Sequence, residues 1–319
     1  MKKYDTCALG EILIDFTFAG QNADGKNVYE ENIGGAPANA AAALAKLGGK
    51  AAFIGMTGED SFGQDCKNCL KELNVETKGM RVTLSQHTTL AFVSLDANGE
   101  RHFSFCRNPG ADTQLSEQDL DTEILENTKI LHIGSLSLTH EPAKSATLKA
   151  IEIVKNAGGL ISYDPNWRAN LWNCRQDALE VLRSLFKYAD IVKISDEEMK
   201  LLFGNLDYIQ SAKKLREYGV KLVLITLGPK GVYYSFKNFD GVIDCPDVKV
   251  VDTTGAGDSF NGGLQYKLTR KENPLELNQL ELEDALTFAN AVASLCVTKR
   301  GAIPALPDIS SVEELLEKH

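Results

Sequence analysis

The residues best suited to chemistry lie in one short stretch, where the small residues Gly255, Ala256 and Gly257 are followed by the acid Asp258. An apolar β-branched run precedes them and an amphipathic segment extends to about Arg270, which predicts a strand end, a tight turn and a helix start. Backbone N–H groups at such a turn can close on phosphate oxygens, helped by the helix dipole. Asp258, in the first helical turn, can accept the proton of an attacking hydroxyl. The stretch therefore suits phosphoryl transfer, with the three amides as an anion hole and Asp258 as the catalytic base.

The same stretch has a purely structural interpretation, in which Asp258 only caps the helix and the small residues only form the turn. For an isolated Gly-Ala-Gly-Asp sequence, that alternative would be the simpler one. The sequence contains no Gly-x-x-x-x-Gly-Lys-Ser/Thr motif, and no Gly-x-Gly-x-x-Gly motif follows the first predicted strand. A P-loop enzyme and a dinucleotide oxidoreductase are therefore not supported.

Composition and charge limit the partners of the chain. Its 319 residues can bury one large core, and no long uncharged apolar run predicts a membrane span. The net charge of −10, from 34 basic and 44 acidic residues, would repel a nucleic-acid backbone. Glu11 and Asp15 interrupt the first apolar stretch, so we expect no signal peptide and a cytoplasmic protein. The seven cysteines are odd in number and scattered, which predicts reduced thiols; this includes the lone Cys66 and Cys69 pair.

Segments beyond residue 112 alternate in character, which predicts a doubly wound, mostly parallel α/β sheet. The predicted strands cover 129–133, 160–163, 190–194 and 221–227, and the predicted helices cover 141–156, 175–188, 196–203, 208–218 and 282–298. Earlier in the chain we expect a strand over 6–14 with Asp15 at its exit, a helix over 40–47 and a strand over 51–56. Polar residues end most of these strands, so we expect the active site at the carboxyl rim of the sheet.

From residue 80 to residue 105 the apolar period changes to two, and the Asn98-Gly99 pair predicts a hairpin turn. Together with a strand-like segment at 28–33, this predicts a small sheet with no helices on one face. We therefore expect a single domain over 1–319, into which a β lid formed by roughly 14–33 and 81–108 is inserted. The bare face of the lid predicts a homodimer.

The stretch from Asp252 to Phe260 resembles the carboxyl-terminal signature of the ribokinase-like (PfkB) sugar kinases. The stretch from Gly34 to Gly63 resembles the amino-terminal signature of the same family, at the family's spacing. Within the family, the segments 10–16, 103–112 and 164–168 look most like bacterial and plant fructokinases. The resemblance implies a ribokinase-like fold and ATP-dependent phosphorylation of a ketohexose hydroxymethyl group, D-fructose giving fructose 6-phosphate.

The resemblance also implies site residues, carried over position by position. The implied sugar-binding residues are Asp15, Gly34, Gly35, Asn39, Phe92, Phe105, Arg107 and Arg168. The implied residues for ATP and its Mg²⁺ are Lys193, Ser195, Glu198, Thr226, Gly228, Gly231 and Asn290. A monovalent cation, typically K⁺, would involve Asp252, Thr254, Cys296 and Gly301.

Several alternatives stay open. A surface salt bridge is a structural alternative for Arg168, and such a role is as plausible as sugar binding for Arg107. Asn290 could equally be a polar residue that packs between helices. Cys106 stands where fructokinases usually carry an aromatic residue, which could loosen sugar selectivity. The nearest alternative activity is that of a 2-keto-3-deoxygluconate kinase, whose arginines pair a substrate carboxylate; a sugar-binding protein without turnover is the alternative from another class.

Overall fold

The computed structural model describes residues 2–95 and 101–318. Thirteen strands of the described chain form two sheets. The strands are β1 (Tyr4–Leu9), β2 (Leu13–Gln21), β3 (Asn27–Gly34), β4 (Ala51–Gly58), β5 (Met80–Thr83), β6 (Leu90–Leu95), β7 (Arg101–Cys106), β8 (Thr128–Ile133), β9 (Leu160–Tyr163), β10 (Ile191–Ser195), β11 (Leu222–Thr226), β12 (Val232–Phe236) and β13 (Phe239–Ile243).

The described α-helices connect and cover these strands. They are α1 (Ala36–Lys46), α2 (Ser61–Glu72), α3 (Thr122–Glu126), α4 (Ala143–Asn156), α5 (Arg175–Ser184), α6 (Asp196–Phe203), α7 (Tyr208–Glu217), α8 (Ala256–Leu268), α9 (Gln279–Cys296) and α10 (Ile309–Leu316). Predicted and observed helices agree within a few residues; the largest differences are that the helix predicted over 40–47 starts at Ala36 and the helix predicted over 175–188 ends at Ser184. None of the helices in the described ranges is long and apolar enough to cross a lipid bilayer.

The large sheet has nine strands in the order β13-β12-β11-β10-β9-β8-β1-β4-β5. The strands from β11 to β5 run parallel, and β12 and β13 extend the edge as an antiparallel hairpin. Alternate side chains of one strand enter different cores, because successive strand residues point to opposite faces. Val192 of β10 packs on the side of α4 to α7, whereas Ile191 packs with residues of α8 and α9. The predicted doubly wound fold is confirmed.

The amino-terminal strand prediction needs one correction. The residues 6–14 do not form one strand, because β1 ends at Leu9 and β2 starts at Leu13 in the other sheet. Gly10 breaks the alternation with φ of 152°, and a Cβ there would lie 2.7 Å from the Pro37 Cγ. Asp15 therefore lies within β2 and not at the exit of the first strand.

The second sheet is small, with the strand order β3-β2-β6-β7. Strand β2 pairs with β6 in parallel, and the two outer pairs are antiparallel. The predicted lid segment 81–108 starts too early, because β5 pairs with β4 in the large sheet and only β6 and β7 join the small one. The predicted turn at Asn98-Gly99 lies outside the described residues.

Candidate active site

A cavity of about 880 Å³ lies where the small sheet faces the carboxyl rim of the large one. Strand ends, the start of α1 and the start of α8 all contribute to its wall. The sequence-predicted residues that line it are Asp15, Gly35, Asn39, Phe105, Arg168, Lys193, Ser195, Glu198, Thr226, Thr254, Gly255, Ala256, Gly257 and Asp258. The fold thus brings together residues that are up to 243 positions apart in the sequence (258 minus 15).

Helix α8 begins at the cavity wall, with its first turn facing the open space. Gly255 precedes the helix in the left-handed conformation at φ of 78° and, as a glycine, provides no side-chain cap. The Ala256 amide donates to the Thr253 carbonyl at 3.3 Å, so a backbone hydrogen bond closes the turn. A Cβ on Gly257 would lie 2.8 Å from the Lys193 Nζ. The turn therefore places main-chain amides and an ammonium group side by side, an arrangement suited to an anion.

The Asp258 carboxylate lies at the same helix start and contacts α1. The Asn39 Nδ2 donates to its Oδ2 at 2.8 Å. Burial raises the pKa of Asp258 to about 6, which the Asn39 hydrogen bond opposes and the negative charge of Asp164 reinforces. A carboxylate with such a pKa is ionised at neutral pH but holds a proton more strongly than a free aspartate, as a general base requires.

The other end of the cavity, beside the small sheet, is shaped by Asp15, Gly34 and Gly35. A Cβ on Gly34 would lie 2.3 Å from the Asp15 Oδ2, so glycine is needed for the carboxylate to lie against the strand. Gly35 has φ of 111°, and a Cβ there would meet the Glu11 carbonyl oxygen at 2.5 Å. Gly34 supports the wall without lining it. The pair of glycines thus serves close approach of chain segments, as expected for residues without side chains.

The carboxyl groups in this region are crowded. Burial raises the pKa of Asp15 to about 7, with the Arg168 charge opposing the shift. Burial also raises the pKa of Glu11 to about 7, and the negative charge of Asp112 adds to it. The Glu11 Oε1 accepts a hydrogen bond from the Ala36 amide, while the Glu11 Oε2 and the Asn39 Oδ1 are buried without a partner among the described residues. Unpaired buried acceptors at a cavity are suited to hydroxyl donors of a ligand.

A buried ion pair forms the floor between the two ends. The Lys193 Nζ lies 2.7 Å from the Asp164 Oδ2, which also accepts from the Asn261 Nδ2 at 2.8 Å. Burial would lower the pKa of Lys193, but the charges of Asp164 and Glu198 outweigh it and raise the pKa above its usual value. Lys193 is therefore a fixed positive charge beside the anion site.

Glu198 is held rigidly at the start of α6. Its Oε2 accepts from the Ser195 amide at 2.8 Å and its Oε1 from the Trp167 amide at 2.7 Å. The Ser195 Oγ accepts from the Glu198 amide in return, so serine completes a capping box that asparagine would also allow. Burial raises the pKa of Glu198, and Asp164 contributes to the shift.

Arg107 is not found among the described residues that line the cavity, contrary to the prediction. Its Nε and Nη2 contact the Asp112 carboxylate at 2.8 and 2.7 Å, its Nη1 donates to Thr139, and its Nη2 donates to the Leu136 carbonyl. The side chains of Arg107 and Asp112 are 1% and 2% exposed. Of the two alternatives for Arg107, sugar binding and a structural salt bridge, these contacts favour the salt bridge. It is buried, however, and not at the surface as expected.

Phe92 also lies away from the cavity. In the register of the small sheet it pairs with Phe16, whereas Phe105, which lines the cavity, pairs with Ala91. Paired residues point to one face and their neighbours to the other. Phe92 therefore stacks on Phe16 on the outer face, at 5.2 Å between ring centroids.

The residues expected for the nucleotide divide into two groups. Thr226, at the end of β11, lines the cavity. Gly228, Gly231 and Asn290 do not line it: a Cβ on Gly231 would lie 1.9 Å from the Ile243 carbonyl oxygen, and the Asn290 Nδ2 donates to the carbonyls of Ile243 and Asp244. These contacts hold the end of β13 in place beside the turn at Gly228.

The residues expected at a cation adjoin one another behind the anion turn. The Asp252 carboxylate accepts hydrogen bonds from the Thr254 amide at 2.8 Å and from the Gly301 amide at 3.1 Å. The Cys296 Sγ donates to the Thr254 carbonyl at 3.8 Å. Only Thr254 of these four lines the cavity. No group of three or more histidine, cysteine or acidic residues suited to a metal occurs in the described ranges.

The chain matches the pfkB family carbohydrate kinase model over residues 4–309. The chain belongs to the pfkB family of carbohydrate kinases. It is 43% identical to probable fructokinase-4 of Arabidopsis thaliana over 314 residues, which cover 97% of this chain and 96% of that protein. Its structure is similar to that of the fructokinase with bound ATP from Xylella fastidiosa, with a TM-score of 0.92, 32% identity and 99% coverage of both chains. It is also similar to the fructokinase from Vibrio cholerae O395 in a form with bound fructose, ADP and calcium ion, with a TM-score of 0.90, 33% identity and 98% coverage of both.

Some cavity residues of this pfkB chain were not predicted as site residues. They include Glu11, Leu136, Asp164, Asn166, Trp167, Arg175 and Thr253. Asp164 had a visible signal, because it directly follows a predicted strand at the rim where such sites lie. Glu11 had a weaker one, as an acid inside an apolar run. Leu136 and Arg175 carry no sequence signal that we can name.

Proposed function

We propose that the protein transfers the γ-phosphate of ATP to a hydroxymethyl oxygen of D-fructose, giving fructose 6-phosphate. It is a phosphotransferase that acts on a sugar hydroxyl, as a member of the carbohydrate kinase family. The observation that carries the proposal is the Asp258 carboxylate, bonded to Asn39 and placed at the uncapped start of α8 within a cavity. Relatives named fructokinase, matched over nearly the whole chain, support fructose as the acceptor.

In the proposed mechanism, Asp258 accepts the proton of the sugar hydroxyl while that oxygen attacks the γ-phosphorus. The Asn39 amide holds the carboxylate in place through the 2.8 Å hydrogen bond. The amides of Gly255 and Gly257 and the positive end of the α8 dipole face the charge that develops on the transferred group. The Ala256 amide, which was expected to join them, donates to the Thr253 carbonyl. Lys193, fixed by Asp164, adds a positive charge next to Gly257.

At the sugar end of the cavity, hydroxyl groups would meet acceptors. We assign this role to Asp15 and Asn39, with Gly34 and Gly35 allowing close approach and Phe105 forming the lid side of the wall. Arg168 lines the same space and its charge acts on both Asp15 and Asp258. The small sheet would act as a lid that excludes water from the reaction.

The nucleotide would enter from the side of β11. Thr226 lines that part of the cavity, and Gly228, Gly231 and Asn290 fix the surrounding loops. We propose Mg²⁺ as the divalent partner of the phosphates, because hard oxygen ligands and a carboxylate suit it. Glu198, held by the amides of Ser195 and Trp167, is the carboxylate that fits, and the ion would neutralise phosphate charge.

We also propose that a monovalent cation, K⁺, binds at the loop of Asp252. The carboxylate of Asp252 and the Thr254 carbonyl are oxygen donors that suit an alkali cation, and Cys296 and Gly301 adjoin them. Replacing KCl by tetramethylammonium chloride at equal ionic strength should lower kcat. A rate that depends only on ionic strength would contradict the cation site.

The outer face of the small sheet supports a homodimer. Phe18, Tyr29 and Phe92 are 36%, 41% and 36% exposed and lie around Phe16, with Tyr29 in edge contact with Phe92. Exposed contiguous aromatic surface of this kind favours protein contact. Sedimentation velocity should show a dimer for the wild type and a monomer for Phe92→Asp. A monomeric wild type would refute this proposal.

For the compartment, we propose the cytoplasm. All seven cysteines are free in the structure, which agrees with a reducing environment. Fractionation of the source cells followed by immunodetection would test the proposal, and recovery from an organelle would refute it.

The decisive experiment for the reaction is a substrate panel. Fructose, ribose, 2-keto-3-deoxygluconate and aminoimidazole riboside are compared by kcat/KM with ATP and Mg²⁺, and we expect fructose to give the highest value. Asp258→Ala should lose about 10²- to 10⁴-fold or more in kcat while it retains sugar affinity. A different preferred sugar would overturn the substrate, and an active Asp258→Ala would remove the proposed base.

A further inference from the structure

The buried Arg107–Asp112 pair lies directly behind the sugar end of the cavity. The Arg107 Nη2 donates to the carbonyl of Leu136, a residue that lines the cavity. The charges of both Arg107 and Asp112 act on Glu11, which lines the cavity as well. An arginine that could bind an anionic sugar is therefore next to the site, but it is separated from the cavity by its own partners.

Every nitrogen of the Arg107 guanidinium is already used. The Asp112 carboxylate contacts Nε and Nη2, Thr139 accepts from Nη1, and the Leu136 carbonyl accepts from Nη2. Asp112 is itself fixed, because its Oδ1 accepts a hydrogen bond from the Thr89 Oγ1 at 2.6 Å. Asp112, Thr139 and the Leu136 carbonyl thus hold the guanidinium in a fixed orientation, because they occupy all three nitrogens of a rigid planar group.

The remaining charges at this end of the cavity are mostly negative. Glu11, Asp15 and Asp258 are carboxyl groups of the wall. Of the two described arginines that line the cavity, Arg168 is the one whose charge acts on Asp15 and Asp258. A ligand carboxylate placed here would meet the ionised Asp258 and the partly ionised Glu11 and Asp15, which costs free energy in a buried site. Neutral hydroxyls can instead donate to these groups.

We propose that Asp112 sets the substrate class: by keeping Arg107 away from the sugar, it makes the site accept a neutral ketohexose and reject a sugar acid. The inference rests on the proposed function and refines it. Asp112 is a positioning residue in this view, because it acts only through the orientation and charge of Arg107.

The test compares fructose with 2-keto-3-deoxygluconate in Asp112→Asn, which keeps the shape and the Thr89 acceptor but removes the charge. Release of Arg107 should raise kcat/KM for the sugar acid by roughly 10- to 100-fold, the range of one charge-assisted hydrogen bond. The value for fructose should change by less than about threefold. The readout is the ratio of the two values, which a purely structural loss of stability would leave unchanged.

The matched control is the double variant Arg107→Met with Asp112→Asn. The gain for the sugar acid should disappear, because no guanidinium is left to release, while the KM for fructose stays near the value of Asp112→Asn. A gain that persists without Arg107, or an unchanged ratio in a folded Asp112→Asn, would overturn the proposal. Thermal unfolding monitors folding of each variant.

If Asp112→Asn fails to fold, the double variant still tests whether Arg107 is kept away from the sugar. Removing both charges of a buried pair is often tolerated, so this variant should fold. A KM for fructose that rises by more than about tenfold in it would show that Arg107 contacts the sugar. A wild type without fructose kinase activity would instead refute the proposed function. That outcome is read from the wild type alone, so the two failures are distinguishable.

Discussion

The acid limb of the pH profile tests the catalytic role of Asp258 most directly. The base must be ionised to accept a proton, and burial places its pKa at about 6. We therefore expect kcat/KM for the sugar to be constant above about pH 7 and to fall tenfold per unit well below pH 6. With one group of pKa 6, the value at pH 5 should be about one eleventh of the plateau.

Asn39→Ala should move this limb in a known direction. The Asn39 Nδ2 donates to the ionised carboxylate at 2.8 Å and thereby lowers the pKa of Asp258. A hydrogen bond to a charged group contributes about 1.5–3 kcal/mol, and one pKa unit corresponds to about 1.36 kcal/mol. Loss of the bond should therefore raise the pKa by about one to two units. Relative to its own plateau, kcat/KM of the variant should be reduced at pH 7 and should reach the plateau only near pH 9.

The assay should quantify ADP directly by chromatography, because coupling enzymes have pH profiles of their own. Asp15 provides the control, since its pKa of about 7 lies in the same range and in the same cavity. In Asp15→Asn the limb near pH 6 should persist even if the sugar KM rises. A limb that stays in place in Asn39→Ala but vanishes in Asp15→Asn would assign it to Asp15 and refute the reasoning.

Three further substitutions probe separate parts of the site. Gly34→Ala places a Cβ 2.3 Å from the Asp15 Oδ2 and should raise the KM for fructose about tenfold with a smaller effect on kcat, measured by initial rates. Gly257→Ala places a Cβ 2.8 Å from the Lys193 Nζ, the end of a side chain that must shift away from its fixed position, so the protein should fold but lose about 10- to 100-fold in kcat. Glu198→Gln should raise the Mg²⁺ concentration for half-maximal rate about tenfold in a titration at fixed ATP, because the ligand charge is lost.

Two neighbouring positions serve as controls for these substitutions. Gly134→Ala meets its nearest atom at 3.6 Å, an ordinary contact, and should leave the rates unchanged. Glu197→Gln removes an exposed charge of the cavity lining beside Glu198 and should change the Mg²⁺ titration less than Glu198→Gln does. Equal effects of Gly134→Ala and Gly34→Ala, or of the two glutamate substitutions, would contradict the assigned roles.

Most of the fold and the centre of the site follow from local patterns in the sequence. The strand at Leu160–Tyr163 and the helix at Asp196–Phe203 match their predicted bounds, because apolar period and capping residues act within a few positions. The turn before Asp258 can also be predicted from the sequence, since the small residues and the helix start are adjacent in the chain. Such features need no knowledge of distant partners.

The predictions were wrong where contacts with a segment distant in the sequence determine the local structure. The break after Leu9 depends on Gly10 packing against Pro37, and the strand alternation alone continues through it. The position of Arg107 depends on Asp112 together with Thr139 and the carbonyl of Leu136. The prediction supplied the arginine but not the partners that saturate it, because these contacts join segments whose approach only the folded chain defines.

The position of Phe92, which the family resemblance implied at the sugar, depends on a single residue of strand register. A two-residue turn at Asn98-Gly99 would pair 97 with 100 and hence 92 with 105, which puts both aromatic residues on the same face. In the structure Leu95 pairs with Arg101, so Phe105 is opposite Ala91 and Phe92 is opposite Ser104. A shift of one residue moves every side chain of a strand to the other face relative to its partner. Phe105 therefore faces the cavity and Phe92 the outside, and one strand register supplies both a wall for the sugar and the aromatic surface proposed to join two subunits.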